Sequence, residues 1–203
     1  MNKSQQVLRE IETQANWQKG KIVGVHTVPH SFLPIVGREK GKLLEDLIKK
    51  HKPKLILEIG TLVGYSAILM AHQRPDAPRR QYTGPKIVSL EIDPKAAQIA
   101  KQNIEKAELS NKIEIIVGDA KNTIKKLDVI LDMIFIDAKK DEYIDYLKLC
   151  EKNMHKGTIV VADNVKKFAD DVENYLDHVR KSGLYESKYH DFGFDAMEVS
   201  IRK

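Results

Sequence analysis

At 203 residues, with 42% hydrophobic and 31% charged content, the chain is large enough for one domain with a sizeable core, and its composition excludes a disordered segment. No apolar run approaches the length of a bilayer span and residues 1–21 lack the apolar core of a secretory signal, so a cytoplasmic protein without a membrane partner is expected. The lone cysteine, Cys150, excludes an internal disulfide, and the net charge of +5 permits an anionic partner such as RNA without requiring one.

Residues 4–19 place Val7, Leu8, Ile11, Ala15 and Trp17 near helical spacing and predict an amphipathic helix. Residues 20–37 read as a loop with His26, Pro29, His30, Phe32 and Pro34, long enough to act as a lid over a site. A second helix is expected over 38–51, with Leu43, Leu44, Leu47 and Ile48 on one face and Pro53 as its stop. A short apolar strand then runs from Leu55 into an acid, Glu58, followed by Gly60, Gly64 and a helical pattern over 65–73. After a basic, proline-broken loop at 74–85, a strand over 86–90 ends at Glu91 and a helix covers 94–107. The unit repeats as strand 112–117 with Gly118-Asp119 and helix 122–126, then as strand 132–136 with Asp137 and helix 141–153. It repeats once more as strand 158–162 with Asp163-Asn164 and helix 167–181. Two last strands, 185–189 and 196–201, are close enough to pair antiparallel. Five apolar runs alternating with helices, and two more strands behind them, predict an α/β fold: a doubly wound, mostly parallel seven-stranded sheet with helices on both faces and an antiparallel C-terminal strand. One domain over 1–203 is expected, with 1–37 as its N-terminal helix and lid-like loop.

The stretch 55–70 is a strand, a glycine turn and a helix, which in a parallel sheet lies at the carboxyl ends of the strands where ligands bind. Such a turn holds a phosphate, holds a nucleotide without phosphate contact, or is merely tight. No lysine follows Gly64 as a phosphate loop requires, the Gly-x-Gly-x-x-Gly spacing is absent, and Glu58 would repel a pyrophosphate. A ligand with a positive centre fits better. Glu91 either accepts hydrogen bonds from vicinal ribose hydroxyls or belongs to the helix start at Pro94. Asp119 reaches either an adenine amine or the N-terminus of the following helix. Asp137 and Asp163 each close a strand ahead of a helix, where such turn residues can cap the helix. Cys150 falls within a helical apolar pattern and reads as packing.

With Leu57-Glu58-Ile59-Gly60, Gly64-Tyr65-Ser66, Glu91 and Gly118-Asp119 in this order, the chain resembles the class I S-adenosylmethionine-dependent methyltransferases. Leu131-Asp132-Met133-Ile134-Phe135-Ile136-Asp137 with Lys140, the segment 157–165, and Val36-Gly37-Arg38-Glu39-Lys40-Gly41 are similar to the metal-dependent O-methyltransferases of the catechol O-methyltransferase type. The resemblance covers about residues 32–203. It implies S-adenosylmethionine held by Val36, Glu58, Gly60, Gly64, Ser66, Glu91, Asp119, Ala120 and Asp137, with Glu91 on the ribose. It also implies Mg2+ or another divalent cation on Asp137, Asp163 and Asn164, and Lys140 as general base. A monomer or homodimer is expected, since dimers are common in the wider family.

The family's substrate-flanking positions fall on Phe32, which keeps an aromatic, and Phe168, which replaces a proline. The family's third substrate acid has only Asp191 as a candidate, and at Lys139 an adenine-packing aromatic is missing. Three readings follow. The chain methylates a hydroxyl of a catechol-like or other vicinal-oxygen small molecule, methylates a hydroxylated nucleotide in tRNA, or is a nucleotide-binding module without methyl transfer.

Overall fold

The computed structural model describes residues 2–20, 34–72 and 86–203. His26, His30, Phe32 and the basic segment 74–85 lie outside the described residues.

Seven strands form one sheet in the order β3-β2-β1-β4-β5-β7-β6. β1 (Leu55–Ile59), β2 (Lys86–Glu91), β3 (Ile113–Val117), β4 (Leu131–Ile136) and β5 (Met154–Ala162) run parallel. β7 (Ala196–Arg202) lies antiparallel between β5 and β6 (Tyr185–Asp191). The predicted doubly wound sheet is therefore observed, including its antiparallel end.

Strand side chains alternate between two cores, as a period of two requires. On β4, Met133 and Phe135 join the core that holds Leu44, Ile48, Ile68 and Met70, while Ile134 and Ile136 join the core with Leu147, Tyr175 and Val179. The first face is covered by α1 (Lys3–Gly20), α2 (Gly37–His51), α3 (Tyr65–Ala71) and α4 (Pro94–Lys106); the second by α5 (Ala120–Lys126), α6 (Tyr143–Cys150) and α7 (Glu173–Lys181). Burial on both faces explains why the central strands read as near-continuous apolar runs. α1 buries Val7 and Ile11 in the first core and contacts α3 and α4. Cys150 is buried in the second core, which pushes its thiol up to about 12 and fits the packing role.

Two expected helices differ. The 167–181 pattern yields α7 only from Glu173; residues 165–172 form turns, and two of their N–H groups bond to Asp195 and Ala196 at the start of the last strand. Val165 N–H donates to the Ala196 carbonyl, Lys167 N–H donates to Asp195, and Asn164 takes a left-handed φ of 62°. The 141–153 pattern splits into short 3-10 turns at Lys140–Glu142 and Glu151–Asn153 around α6. No helix among the described residues is long and apolar enough to cross a membrane.

Candidate active site

The carboxyl ends of β1, β2, β4 and β5 open into one cavity of about 1000 Å³. Its position follows from topology, since strand order reverses between β1 and β4 and the loops on either side part there.

Gly60 shapes the end of the cavity at the β1 tip. Its φ is +97°, and a Cβ there would lie 2.1 Å from the Asp137 carbonyl oxygen, so only glycine lets β1 and β4 approach this closely. Glu91, at the tip of β2, accepts hydrogen bonds from Thr61 N–H (3.1 Å) and Leu62 N–H (2.7 Å), and its other oxygen accepts from Asp93 N–H. Asp93 caps α4 through Lys95 N–H, so the helix-start alternative falls to Asp93 and Glu91 is left to line the cavity. Asp119 does cap its helix, accepting from Lys121 N–H at 2.7 Å, and also lines the cavity beside Ala120. Ile92 is 73% exposed at this end, an apolar wall that the strand pattern did not single out.

Glu58 stands behind this wall. It is fully buried, accepts from the hydroxyls of Ser89 and Ser66, and keeps one oxygen without a partner among the described residues. Burial raises its pKa to about 7, against those hydroxyls and with the Asp137 and Glu91 charges. Ser66 lines the cavity; Glu58 does not. Gly64 is likewise off the cavity wall, where its left-handed turn packs against Ala100. Val36 lines the cavity just ahead of α2, and Tyr65 ties the wall to α1 by donating to Glu12 at 2.8 Å.

The other end gathers the expected chemistry. Asp137 follows β4, with its N–H on the Ile59 carbonyl; Asp163 follows β5, with its N–H on the Ile136 carbonyl. These ladder bonds bring Asp137, Asp163 and Asn164 to one cavity together with Lys140. Lys140 donates to Asp137 Oδ1 and to the Tyr143 hydroxyl, both at 2.8 Å, and Tyr143 donates onward to the Asp163 carbonyl at 3.2 Å. Burial and the facing Asp137 carboxylate push the Asp163 pKa up, while the Lys40 ammonium pulls against them.

Lys40 and Asp195 were not singled out from the sequence. Lys40 is 3% exposed and donates to Asp163 Oδ1 at 2.5 Å and to Asp195 Oδ2 at 2.8 Å. Burial opposes ionisation of Asp195, but Asn164, Lys40 and two backbone N–H groups outweigh it and hold its pKa near 2. The glycine-lysine segment 37–41 had drawn attention to Lys40 only as part of a motif; nothing local marks Asp195. Asp191, the expected substrate acid, lies outside the cavity wall on an exposed pair with Lys166. Phe168 lines the acceptor end with Lys140 5.7 Å from its ring, and Phe194, 68% exposed, forms another wall there.

The donor set suits a hard cation. Among the described residues no group of three or more His, Cys, Asp or Glu is disposed for a metal, so the set is two carboxylates and one carboxamide. Lys40 and the Asn164 N–H hold Asp163 Oδ1, and Lys140 holds Asp137 Oδ1, which leaves Oδ2 of Asp163 and Asp137 without a donor among the described residues. An all-oxygen set with positions to spare is what Mg2+ accepts.

A glycine turn under a β2-tip acid, at the reversal point of this seven-stranded order, defines a class I methyltransferase fold. The chain belongs to the O-methyltransferase family, whose model matches residues 23–186. It is 33% identical over 181 residues to the catechol O-methyltransferase of Sus scrofa, covering 83% of this chain and 92% of that one. It is 34% identical over 171 residues to the catechol O-methyltransferase of Mus musculus, covering 81% of this chain but only 61% of that enzyme's length. An O-methyltransferase from Bacillus cereus, solved in complex with SAH, superposes with a TM-score of 0.75 at 25% identity, over 98% of this chain and 91% of that one.

Proposed function

We propose that the protein transfers a methyl group from S-adenosylmethionine to one hydroxyl of a vicinal diol on a small aromatic acceptor, with a divalent cation. The observation that carries this reading is the convergence of Asp137, Asp163, Asn164 and Lys140 at one end of a cavity whose other end presents Glu91. A dinucleotide or phosphate site needs no such oxygen set.

Glu91 would accept the two ribose hydroxyls, its carboxylate already oriented by three backbone N–H groups. Ile92 and Ala120 would enclose the adenine, and Gly60 would let the cofactor lie against the β1 turn. A divalent cation on Asp137, Asp163 and Asn164 would supply Lewis-acid charge beside the acceptor oxygens. Lys140 is then the proton acceptor. Asp137 and Tyr143 engage two of its positions and leave a third at Nζ, which in the neutral amine carries the lone pair. The acceptor O–H bond breaks toward that nitrogen, the oxygen attacks the methyl carbon in line, and the carbon–sulfur bond breaks to leave a neutral thioether. Phe168 and Phe194 would flank the aromatic ring and exclude water. Methylation of a nucleotide in tRNA draws on the net charge and on segment 74–85, which lies outside the described residues.

The test is a labelled-methyl transfer assay on catechols, hydroxycinnamoyl thioesters and total tRNA, with and without chelator. Activity on diols should vanish in chelator and return with Mg2+. Lys140→Ala should lower turnover by about 100-fold or more while cofactor binding stays at the wild-type value. Full activity in chelator would remove the cation from the mechanism, and wild-type turnover in Lys140→Ala would remove the base.

A further inference from the structure

A carboxylate accepts hydrogen bonds and donates none. That elementary fact orients Asn164. Its side-chain nitrogen lies 2.6 Å from Asp195 Oδ2, so the nitrogen must be the atom facing Asp195 and the carboxamide oxygen must be the atom left over. The same Asp195 oxygen accepts from Lys40 Nζ at 2.8 Å, and Lys40 in turn holds Asp163. The other Asp195 oxygen is fixed by the backbone N–H groups of Lys167 (3.1 Å) and Ala196 (2.8 Å). Asp195 thus spends four hydrogen bonds, two on rigid backbone and two on the neighbours of the cavity. It is 2% exposed, it lies 31 residues from Asn164 in sequence, and it enters from the start of β7. Asn164 needs such a hold, because its backbone sits in the left-handed region.

We propose that Asp195 is a positioning residue for the cation set: it turns the Asn164 oxygen toward the cavity and, through Lys40, joins the Asn164 N–H in holding Oδ1 of Asp163 so that Oδ2 is left free. This rests on the metal-dependent reading above. Asp195 touches neither metal nor substrate; it acts through Asn164 and Lys40. Three carboxylates, Asp137, Asp163 and Asp195, face two lysines, Lys40 and Lys140, so the cluster keeps at least one unbalanced negative charge for a cation to meet, and one more once Lys140 is the neutral amine. Replacing Asp195 by asparagine would give Asn164 a donor to face, and its carboxamide would rotate to present nitrogen, which no hard cation accepts.

The experiment is Mn2+ titration followed by electron paramagnetic resonance, without acceptor, on the wild-type protein, Asp195→Asn, and the reciprocal pair Asp195→Asn with Asn164→Asp. Binding of S-adenosylhomocysteine and the thermal melt report folding. Asp195→Asn should weaken Mn2+ by about 10- to 100-fold, the usual effect of removing a partner that orients a metal ligand. The reciprocal pair restores a donor facing an acceptor, with the total charge unchanged, and should return Mn2+ affinity to within a few-fold of wild type. A purely structural Asp195 would give no such rescue. Wild-type Mn2+ affinity in folded Asp195→Asn, or a folded pair that stays as weak as the single variant, overturns the proposal. If neither variant folds, Asp195 is a folding residue and the proposal also fails. Absence of Mn2+ binding by the wild-type protein would instead overturn the metal reading itself.

Discussion

At the scale of the residue, the most unusual group is Glu58, a fully buried acid whose pKa is raised to about 7. A carboxyl with a raised native pKa binds more protons in the folded than in the unfolded state. Its contribution to stability is therefore complete below about pH 4.5 and is lost as pH climbs through 7. Relative to Glu58→Gln, the wild-type protein should lose on the order of 3 kcal/mol between pH 4.5 and pH 8. Urea unfolding of both proteins across that range checks this, and parallel curves would remove Glu58 as the source. The same residue explains a limit of reading the sequence. An acid before a glycine turn suggests a ligand with a positive centre, yet Glu58 stands off the cavity wall. Whether the carboxylate reaches the cavity or stands behind Ser66 depends on which face of β1 the residue takes, and the motif does not state that.

At the scale of the element, the β1–α3 turn packs directly on the main chain of Asp137 beyond β4. Gly60→Ala would combine a left-handed φ with a Cβ driven into the Asp137 carbonyl. A loss of at least about 2 kcal/mol in unfolding free energy is expected. Mn2+ affinity should weaken with it, since the main chain of Asp137 must retreat. An unfolding midpoint equal to wild type would show that the two loops are not in enforced contact. Most elements were legible because each parallel strand is an apolar run closed by an acid, and these acids mark the site: Glu91, Asp137 and Asp163 all line the cavity. The start of α7 was not legible. Residues 167–172 carry a helical pattern, yet the backbone N–H of Lys167 is claimed by Asp195, a partner that no local window contains. Lys40 was hidden for the same reason: its two acids lie 123 and 155 residues away.

At the scale of the whole molecule, one cavity takes its two ends from neighbouring strands. Asp137 follows β4, its N–H donates to the carbonyl of Ile59 at the end of β1, and it lines the cavity with Asp163, Asn164 and Lys140. A ligand present at a hundred times its dissociation constant stabilises a protein by about 2.7 kcal/mol. S-adenosylhomocysteine and Mg2+ should each raise the thermal midpoint, and together they should exceed the sum of their separate effects, because each orders the loop the other uses. Strict additivity in the melts would mean that the β4 tip is equally rigid with neither bound.

The sheet order carries one more consequence, for the way the protein is made. Among the described residues β6 pairs only with β7, and β7 slots between β6 and β5 although it is translated after both. The strands that build the nucleotide end can close around each other as they leave the ribosome. The hydrogen bonds that aim Asn164 have to wait for a strand still to come. A nascent chain that stops short of β7 would thus hold Glu91, Asp137, Lys140 and Asp163 but lack the residue that holds Asn164.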